Sequence, residues 1–148
     1  SAPLLKLAFE PPRGQQLVLK LLNALHLQPA VPSGLVDTNL SRDLNVVRAY
    51  RNDPLTHGKI TPALAGGMLA AGQWCLEHAG ELNTPCLLLH GAADRITSPE
   101  ATRHFASKVS SDCKLEIWPG LFHEPHNEPE KDSVHQCITR WILERAGN

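Results

Sequence analysis

The apolar residues of this chain recur at helical spacing over most of its length. Between about Gln15 and Leu27 they return every three or four positions, which predicts an amphipathic helix whose leucines mostly face the core. A short helix is expected to open with Ser41 as its N-terminal cap and to close before Pro54, because the residue before proline disfavours helix. Further helices are predicted at Pro62–His78, at Pro99–Val109 and at about Pro129–Ala146, before Gly147 and Asn148 end the chain.

Two segments depart from the helical spacing and predict strands. Cys86–Leu89 is an unbroken apolar run, which is typical of a strand buried on both faces of a parallel sheet. Lys114–Trp118 alternates polar and apolar residues, which predicts a strand at or near a sheet edge. His90 and Gly91 are expected to end the first strand, because glycine permits a sharp turn. A parallel pair alone leaves both edges unpaired, so we expect the sheet to be completed by other residues or by oligomerisation.

Asp94 is the first candidate for chemistry. It lies just past the carboxyl end of the first predicted strand, in a short loop before the helix that Ser98 caps and Pro99 begins. In open α/β sheets, functional sites form outside the carboxyl ends of the strands. The same residue would also fit a solvated loop position that caps the helix or pairs with Arg95, and this stretch alone does not separate the two interpretations.

His123 occupies the matching position after the second predicted strand. If the two strands are neighbours, Asp94 and His123 converge on one rim of the sheet. A carboxylate bonded to one imidazole nitrogen fixes the tautomer and leaves the other nitrogen free to act as a general base. His90 is expected beneath this site or at the strand end, and Glu124 and Glu128 are expected to order the His123 loop.

Composition and charge narrow the function classes without choosing one. The 148 residues are 42% hydrophobic and 20% charged, as in an ordinary folded domain, and the net charge of −1 gives no reason to expect a nucleic acid partner. The eight histidines show no metal-ligand spacing and there is no glycine-rich phosphate loop, so neither a metal nor a cofactor is predicted. Four cysteines without paired spacing predict reduced, buried thiols in a cytoplasmic protein, and no apolar run reaches the length of about 18 residues that a membrane span needs.

Two motifs carry a resemblance to a known family. Leu89-His90-Gly91-x-x-Asp94-Arg95-Ile96 after one strand and Gly120-x-x-His123-Glu124-x-x-Asn127-Glu128 after the next resemble the last third of an α/β-hydrolase. More narrowly, they are similar to monoacylglycerol lipases and the lysophospholipase-like hydrolases grouped with them. Upstream, Ser41-Arg42-Asp43 and Tyr50-Arg51-Asn52-Asp53-Pro54-Leu55 resemble the cap region of that group.

The resemblance implies a fold class and a division of the chain. It implies α/β architecture, namely the C-terminal part of an α/β-hydrolase fold with its last two parallel strands and their flanking helices, plus a helical cap segment. Residues 1–60 would be the cap or lid segment that follows the sixth strand, and residues 61–148 the C-terminal part of the hydrolase body. Arg42, Asp43 and Asp53 would have structural pairing roles where the cap packs onto the body.

The family order of Ser, Asp and His implies that Asp94 is the triad acid and His123 the triad base. The implied activity is that of a serine carboxylic-ester hydrolase of the monoacylglycerol lipase or lysophospholipase type. The nucleophile motif Gly-x-Ser-x-Gly does not occur in the chain, so the serine is expected from a missing N-terminal part or a companion chain, and the chain alone is expected to be inactive. The helix Gln15–Leu27 would shape a pocket for a small lipid-like ester and would supply peripheral contact with a membrane or lipid surface.

Two other functions stay open at this point. A chain that has the cap and the Asp–His part but no nucleophile would also fit a non-catalytic binding or interaction module derived from an α/β-hydrolase. Alternatively, the same fold would fit haloalkane-type or peptidase chemistry, because the nucleophile and the oxyanion residues decide the reaction.

Overall fold

The computed structural model describes residues 1–146, and Gly147 and Asn148 lie outside the described residues. The described chain forms five α-helices: α1 (Arg13–Ala24), α2 (Leu44–Asn52), α3 (Pro62–Glu77), α4 (Pro99–Lys108) and α5 (Lys131–Ala146). It also forms four strands and three short 3₁₀ turns: β1 (Val31–Pro32), β2 (Lys59–Ile60), β3 (Cys86–Gly91), β4 (Cys113–Trp118), and turns at Asp37–Asn39, Ala79–Glu81 and Pro125–Asn127. No helix in this part of the chain is both long and apolar enough to cross a membrane.

The parallel pair β3–β4 lies at the centre of the fold. Six consecutive residue pairs join the strands, from Cys86 opposite Cys113 to Gly91 opposite Trp118. The connection between them contains α4, since parallel strands cannot be joined by a tight turn. Both strands run in the same direction, so their carboxyl ends, and the loops that follow them, lie at one edge. The two predicted strands are therefore neighbours.

The end of β3 differs from the prediction. His90 and Gly91 do not break the strand but form its last two residues, and Gly91 does not have the left-handed backbone of a tight turn. Glycine is required there because of a close approach. A Cβ atom at Gly91 would lie 2.0 Å from the carbonyl oxygen of Phe122 and 2.3 Å from that of Leu121. The loop after β4 therefore passes directly against the end of β3.

One face of the β3–β4 pair is covered by α5. Leu89, Leu121 and Val134 form the buried centre of this contact. Four half-buried side chains pack around it: Leu87, Trp118, Cys137 and Ile138. The predicted apolar stripe of the last helix thus covers the sheet face below the His123 loop. Burying each of these large aliphatic side chains contributes roughly 1.5–3 kcal/mol, so this contact supports the loop from below.

The first eight residues hold the loop that follows β3. The Ala8 amide donates to the Ile96 carbonyl at 3.0 Å, and the Ser98 amide donates to the Lys6 carbonyl at 2.8 Å. Each of these bonds satisfies a backbone group that would otherwise be left without a partner at the strand end. The loop that carries Asp94 is therefore fastened to the N-terminal segment before α4 begins.

The starts of three helices test the capping predictions. Thr61 and Ser98 cap α3 and α4 through their side chains, as predicted, with proline in the first turn of each helix. At α2 the prediction was wrong, because Asp43 is the cap and accepts from a backbone amide of the first turn. Ser41 instead donates its hydroxyl to the carbonyl of Asn127 at 3.0 Å. A bond between residues so far apart in sequence leaves no local signal.

The helix α1 is more exposed than predicted. None of its residues is buried, whereas we expected most of its leucines to face the core. Several large apolar side chains on or just past the helix are more than half exposed: Leu17, Val18, Leu21, Leu25 and Leu27. The helix packs against α3, and only Leu19 and Leu22 are half-buried among its leucines. It ends at Ala24 rather than near Leu27, and His26 follows with a left-handed backbone at φ 56°.

Two features of the chain were not predicted. The strands β1 and β2 form a two-residue antiparallel pair in which Val31 faces Ile60, where only loops were expected. The four free thiols are half-buried rather than buried as predicted, and those of Cys86 and Cys113 lie opposite each other in the β3–β4 register. Burial, together with Cys86, raises the pKa of the Cys113 thiol to about 11, so this thiol stays protonated at neutral pH.

Candidate active site

Asp94 is buried in the loop after β3, and its side chain is fully shielded from solvent. One carboxylate oxygen, Oδ1, accepts hydrogen bonds from the backbone amides of Ile96 at 2.7 Å and Thr97 at 3.1 Å. These bonds fix the rotation of the carboxyl group relative to its own loop. The interpretation of Asp94 as a solvated residue that caps the helix or pairs with Arg95 is wrong, because Ser98 caps α4 and Arg95 lies over an aromatic ring.

His123 lies in the loop after β4 and meets the second carboxylate oxygen of Asp94. Its Nδ1 is 2.9 Å from Oδ2 of Asp94, and the Thr97 hydroxyl donates to the same oxygen at 2.8 Å. An ionised carboxylate only accepts, so Nδ1 of a neutral ring carries the proton and Nε2 has a free lone pair. The His123 side chain is 24% exposed, and no residue among 1–146 is hydrogen-bonded to its Nε2. The structure thus brings the two predicted site residues into contact.

The environment of Asp94 keeps its carboxyl group ionised. Burial raises the pKa of this group, because a charge is poorly solvated in a low-dielectric interior. Hydrogen bonds from His123, His90, the Ile96 amide and Thr97 favour the charged form and outweigh burial, so the pKa lies well below its usual value. A carboxylate that stays ionised can orient an imidazole and stabilise its protonated form.

A second histidine contacts the same carboxylate. Nε2 of His90 lies 2.9 Å from Oδ2 of Asp94, and Nδ1 of His90 lies 2.8 Å from the hydroxyl oxygen of Thr102 on α4. His90 and Thr102 are both completely buried. The sequence placed His90 beneath the site or at the strand end, and it lies at both, but the bond to Asp94 was missed. His90 and Asp94 are four residues apart. On a helix that spacing would place their side chains side by side, but from a strand into a loop it fixes no distance, so the sequence did not predict the bond.

The His123 loop is fastened to the segment that precedes α2. Glu128 is 1% exposed, and its Oε1 accepts from the Phe122 amide at 2.7 Å. Its Oε2 accepts from the backbone amide of Arg42 at 3.2 Å and from Nε of the same residue at 2.9 Å. The prediction that Glu128 orders this loop is confirmed, and Arg42 has the expected structural pairing role, which extends to Glu130.

The remaining residues with predicted structural roles act mainly on the backbone. Asp43 caps α2, and Asp53 accepts from the Leu55 amide at 2.8 Å, so neither carboxylate pairs with a cation in the described chain. Glu124 helps to order the His123 loop, because its carboxylate accepts from the Asn127 side chain at 2.8 Å.

The chemistry available to the described residues is proton transfer at His123. Within residues 1–146, no three His, Cys, Asp or Glu side chains are grouped closely enough to hold a metal ion. No hydroxyl or thiol of the described chain is bonded to Nε2 of His123 and so placed to lose a proton to it. The arrangement can orient an imidazole and stabilise its charge, and it leaves one nitrogen available to a group from elsewhere.

Comparisons with known proteins place the chain in a family. The family described as serine aminopeptidase, S33, matches residues 1–130. The chain is 38% identical over 120 residues to a monoacylglycerol lipase of Mycolicibacterium smegmatis, with 79% of this chain aligned to 43% of that protein. It is 34% identical over 134 residues to a monoglyceride lipase of Rattus norvegicus, with 87% of this chain aligned to 44% of that protein. The chain therefore spans less than half the length of each of these two relatives.

Solved structures share the architecture. The crystal structure of the Paleococcus ferrophilus monoacylglycerol lipase matches with a TM-score of 0.91 and 27% identity, over 97% of this chain and 57% of that chain. A soluble variant of the Saccharomyces cerevisiae monoglyceride lipase, in complex with a substrate analog, matches with a TM-score of 0.83 and 18% identity, over 97% of this chain and 51% of that one, which supports the fold alone. Since the family match covers well over half of its residues, the chain belongs to the serine aminopeptidase S33 family and has part of the α/β-hydrolase fold, like the monoacylglycerol lipases.

Proposed function

We propose that Asp94 and His123 are the acid and the base of a Ser-His-Asp triad that hydrolyses carboxylic esters, with the serine supplied from outside this chain. The observation that carries the proposal is the 2.9 Å contact between Oδ2 of Asp94 and Nδ1 of His123 at the ends of two adjacent parallel strands. A buried ionised carboxylate behind a partly exposed imidazole is the arrangement that general-base catalysis needs.

In this proposal His123 moves the proton and Asp94 does not. Nε2 of His123 removes the proton of the serine hydroxyl as the serine oxygen attacks the ester carbonyl, and then delivers it to the leaving alcohol. Asp94 stabilises the imidazolium ion that exists between these two transfers. Water then attacks the acyl-enzyme, with His123 again accepting and returning the proton. The low pKa of Asp94 supports this division of roles, because a carboxyl group that stays ionised does not compete for the proton.

The proposed substrate is a small lipid-like monoester. The names of the two relatives, a monoacylglycerol lipase and a monoglyceride lipase, support this substrate class. In the division proposed for the chain, residues 1–60 form a cap and residues 61–148 the C-terminal part of the body. An apolar groove in the cap segment, lined by Val18, Leu19, Leu22 and Val31, would accept part of an acyl chain. The exposed leucines of α1 support contact of this segment with a lipid surface.

The first test measures hydrolysis of a monoacylglycerol by the full-length protein that contains this chain. We expect Asp94→Asn to lower kcat by about 10⁴-fold and His123→Ala to lower it by about 10⁶-fold, as loss of the corresponding triad member does elsewhere. The matched control is His126→Ala, which removes an exposed histidine from the same loop and should leave kcat unchanged. Full activity in the His123→Ala variant would end the proposal.

A fluorophosphonate probe tests where the nucleophile lies. We expect the full-length protein to be labelled at a serine outside this chain, and we expect the 148-residue chain alone to remain unlabelled and inactive. Labelling of a serine within the chain would show that the nucleophile has been placed wrongly.

Peptide-bond hydrolysis is the second candidate, because the matching family is described as a serine aminopeptidase. Aminoacyl p-nitroanilides and monoacylglycerols, offered to the same full-length preparation, separate the two activities. Binding of either substrate without turnover would favour the non-catalytic binding module instead.

A further inference from the structure

We propose that His90 is a positioning residue for the Asp94–His123 pair, which holds Oδ2 of Asp94 from below and limits how strongly that oxygen attracts the proton of His123. The inference rests on the proposed function, because it concerns the same triad. His90 is completely buried and cannot reach a substrate, so it acts only through Asp94.

One carboxylate oxygen of Asp94 is crowded with hydrogen-bond donors. Oδ2 of Asp94 accepts from three side chains: His90 at 2.9 Å, Thr97 at 2.8 Å and His123 at 2.9 Å. Among the described residues, Oδ1 accepts only from backbone amides. All side-chain donors therefore share the oxygen that faces His123, and each receives a smaller part of its negative charge than it would receive alone.

The tautomer of His90 follows from its two partners. The ionised carboxylate of Asp94 only accepts, so Nε2 of His90 carries a proton. Nδ1 of the neutral ring then accepts from the hydroxyl of Thr102, which lies 2.8 Å away and is also completely buried. Thr102 thereby orients His90, and His90 orients Asp94. The chain of bonds runs from α4 through the end of β3 to His123.

Few titratable groups contact Asp94, so a change in pH dependence after substitution of His90 can be attributed to the lost His90–Asp94 bond. Among residues 1–146, the titratable side chains bonded to Asp94 are His90 from β3 and His123 from the loop after β4. Two uncharged hydroxyls complete the network. Thr102 on α4 bonds to His90, and Thr97 in the loop of Asp94 bonds to Asp94 itself. A charged residue of that loop, Arg95, is exposed and lies over the ring of Phe122. A substitution at His90 therefore removes one hydrogen-bond donor of Asp94 and leaves the charged groups of the site in place.

The experiment compares pH profiles of kcat/KM for the full-length protein with a short-chain soluble ester. In His90→Leu the charge of Oδ2 is shared by fewer donors, so His123 should hold its proton to higher pH. We expect the acid limb to move upward by about 0.5 to 1 pH unit, because His123 gains only part of what one hydrogen bond to a charged group contributes, which is roughly 1 to 2 pH units. We also expect kcat to fall while KM stays unchanged, because no substrate contact is lost.

Two further variants distinguish positioning from packing. In His90→Gln a side-chain amide can donate from nearly the same place as Nε2, so the wild-type acid limb should return. His104→Leu removes an exposed histidine from α4 and should change nothing. An acid limb that stays in place in His90→Leu, or that moves to lower pH, would overturn the proposal.

A second measurement still tests the role of His90 if His90→Leu fails to fold or if the protein proves not to be an esterase. Nitrogen-15 NMR of the imidazoles in the wild-type protein should show His90 as the Nε2-protonated tautomer, and Thr102→Val should change its Nδ1 resonance. The Nδ1-protonated tautomer would refute the inference whatever the activity. Absence of ester hydrolysis in the wild type, with the expected tautomer present, would refute the proposed function and retain the His90–Asp94 contact.

Discussion

At the scale of single residues, the candidate site is organised around one carboxylate. Asp94 receives hydrogen bonds from two backbone amides, one hydroxyl and two imidazoles, although it is buried. A buried charge is tolerated only when it is paired or hydrogen-bonded, and this one has five donors. The residue is therefore fixed in position before any substrate arrives, which is what an orienting group in catalysis requires.

The depressed pKa of Asp94 predicts how its contribution to stability depends on pH. The unfolded carboxyl group titrates near its usual value of 3.8, and the folded group titrates lower. The stabilisation is therefore fully present above about pH 4 and is lost as the pH falls through the folded value. At pH 7 we expect Asp94→Asn to lower the free energy of unfolding of the full-length protein by about 3 kcal/mol.

Urea denaturation of both proteins from pH 7 down to pH 3 checks this expectation. The difference between wild type and Asp94→Asn should shrink as the pH falls below about 4, since Asp94 then binds a proton in the unfolded wild-type chain while the folded group stays ionised. Other carboxyl groups cancel in the comparison because both proteins contain them. A difference that stays constant over the whole range would contradict the assigned ionisation.

At the scale of elements, local patterns predicted the chain well where partners are near in sequence. The caps Thr61 and Ser98, both strands of the parallel pair and the apolar stripe of α5 were all predicted. Contacts between distant segments were not predictable in the same way. Ser41 bonds to a carbonyl beyond β4, so its capping signal was misleading. The contact between His90 and Asp94 depends on the path of the loop after β3, and hydrophobic periodicity does not predict the path of a loop.

For the helix α1, the sequence predicted the element correctly but not its burial. Its leucine spacing predicts an amphipathic helix, and the helix is present. The spacing says that one face is apolar but not what covers it. In the described chain α1 contacts α3, while several of its apolar side chains stay exposed. A correct prediction of an element therefore did not extend to its burial.

The fastening of the His123 loop to the segment before α2 predicts a kinetic effect of Glu128. Glu128→Gln keeps the size of the side chain but turns one of its two acceptor atoms into a donor that faces a donor. We expect the loop to loosen, with kcat lower by about 10- to 100-fold and stability lower by about 2 kcal/mol. Ester hydrolysis and thermal unfolding of the full-length protein measure the two effects.

The neighbouring carboxylate provides the control for that experiment. The Glu130 side chain is 46% exposed and bonds only to Arg42 among the described residues. Glu130→Gln should cost less than about 1 kcal/mol, because exposed ion pairs contribute little. Equal effects of the two substitutions would mean that burial of Glu128 is not what holds the loop.

The close approach at the end of β3 predicts that Gly91 tolerates no side chain. Gly91→Ala would place a methyl group 2.0 Å from the Phe122 carbonyl oxygen, so the loop after β4 must move. We expect a loss of about 3 kcal/mol in stability, since overpacking against backbone cannot relax easily. By contrast, Gly67→Ala on α3 has open space and should stabilise the helix by about 1 kcal/mol. Thermal denaturation of both variants should show shifts of opposite sign.

At the scale of the whole molecule, the chain exposes more surface than its size explains. Its accessible area is 9324 Å², whereas a folded monomer of 16.2 kDa has roughly 7,500 Å². Nine hydrophobic residues are buried in the described chain, and sixteen large ones are exposed, including Trp74 on α3 and Leu143 on α5. The excess area exceeds the roughly 800 Å² that one partner contributes to a standard interface. The surface of this chain is thus suited to being covered by further polypeptide.

This excess predicts the behaviour of the 148-residue chain when it is expressed alone. Because apolar surface without a partner drives association, we expect the chain to elute in size-exclusion chromatography well above its mass of 16.2 kDa and to bind a hydrophobic dye. The full-length protein should bind the dye weakly, since the same side chains would then be covered. A monodisperse 16.2 kDa species that unfolds cooperatively and ignores the dye would show that α1, α3 and α5 need no covering. The exposed apolar faces would in that case belong to a self-sufficient domain, and the non-catalytic binding module would become the better account of the chain.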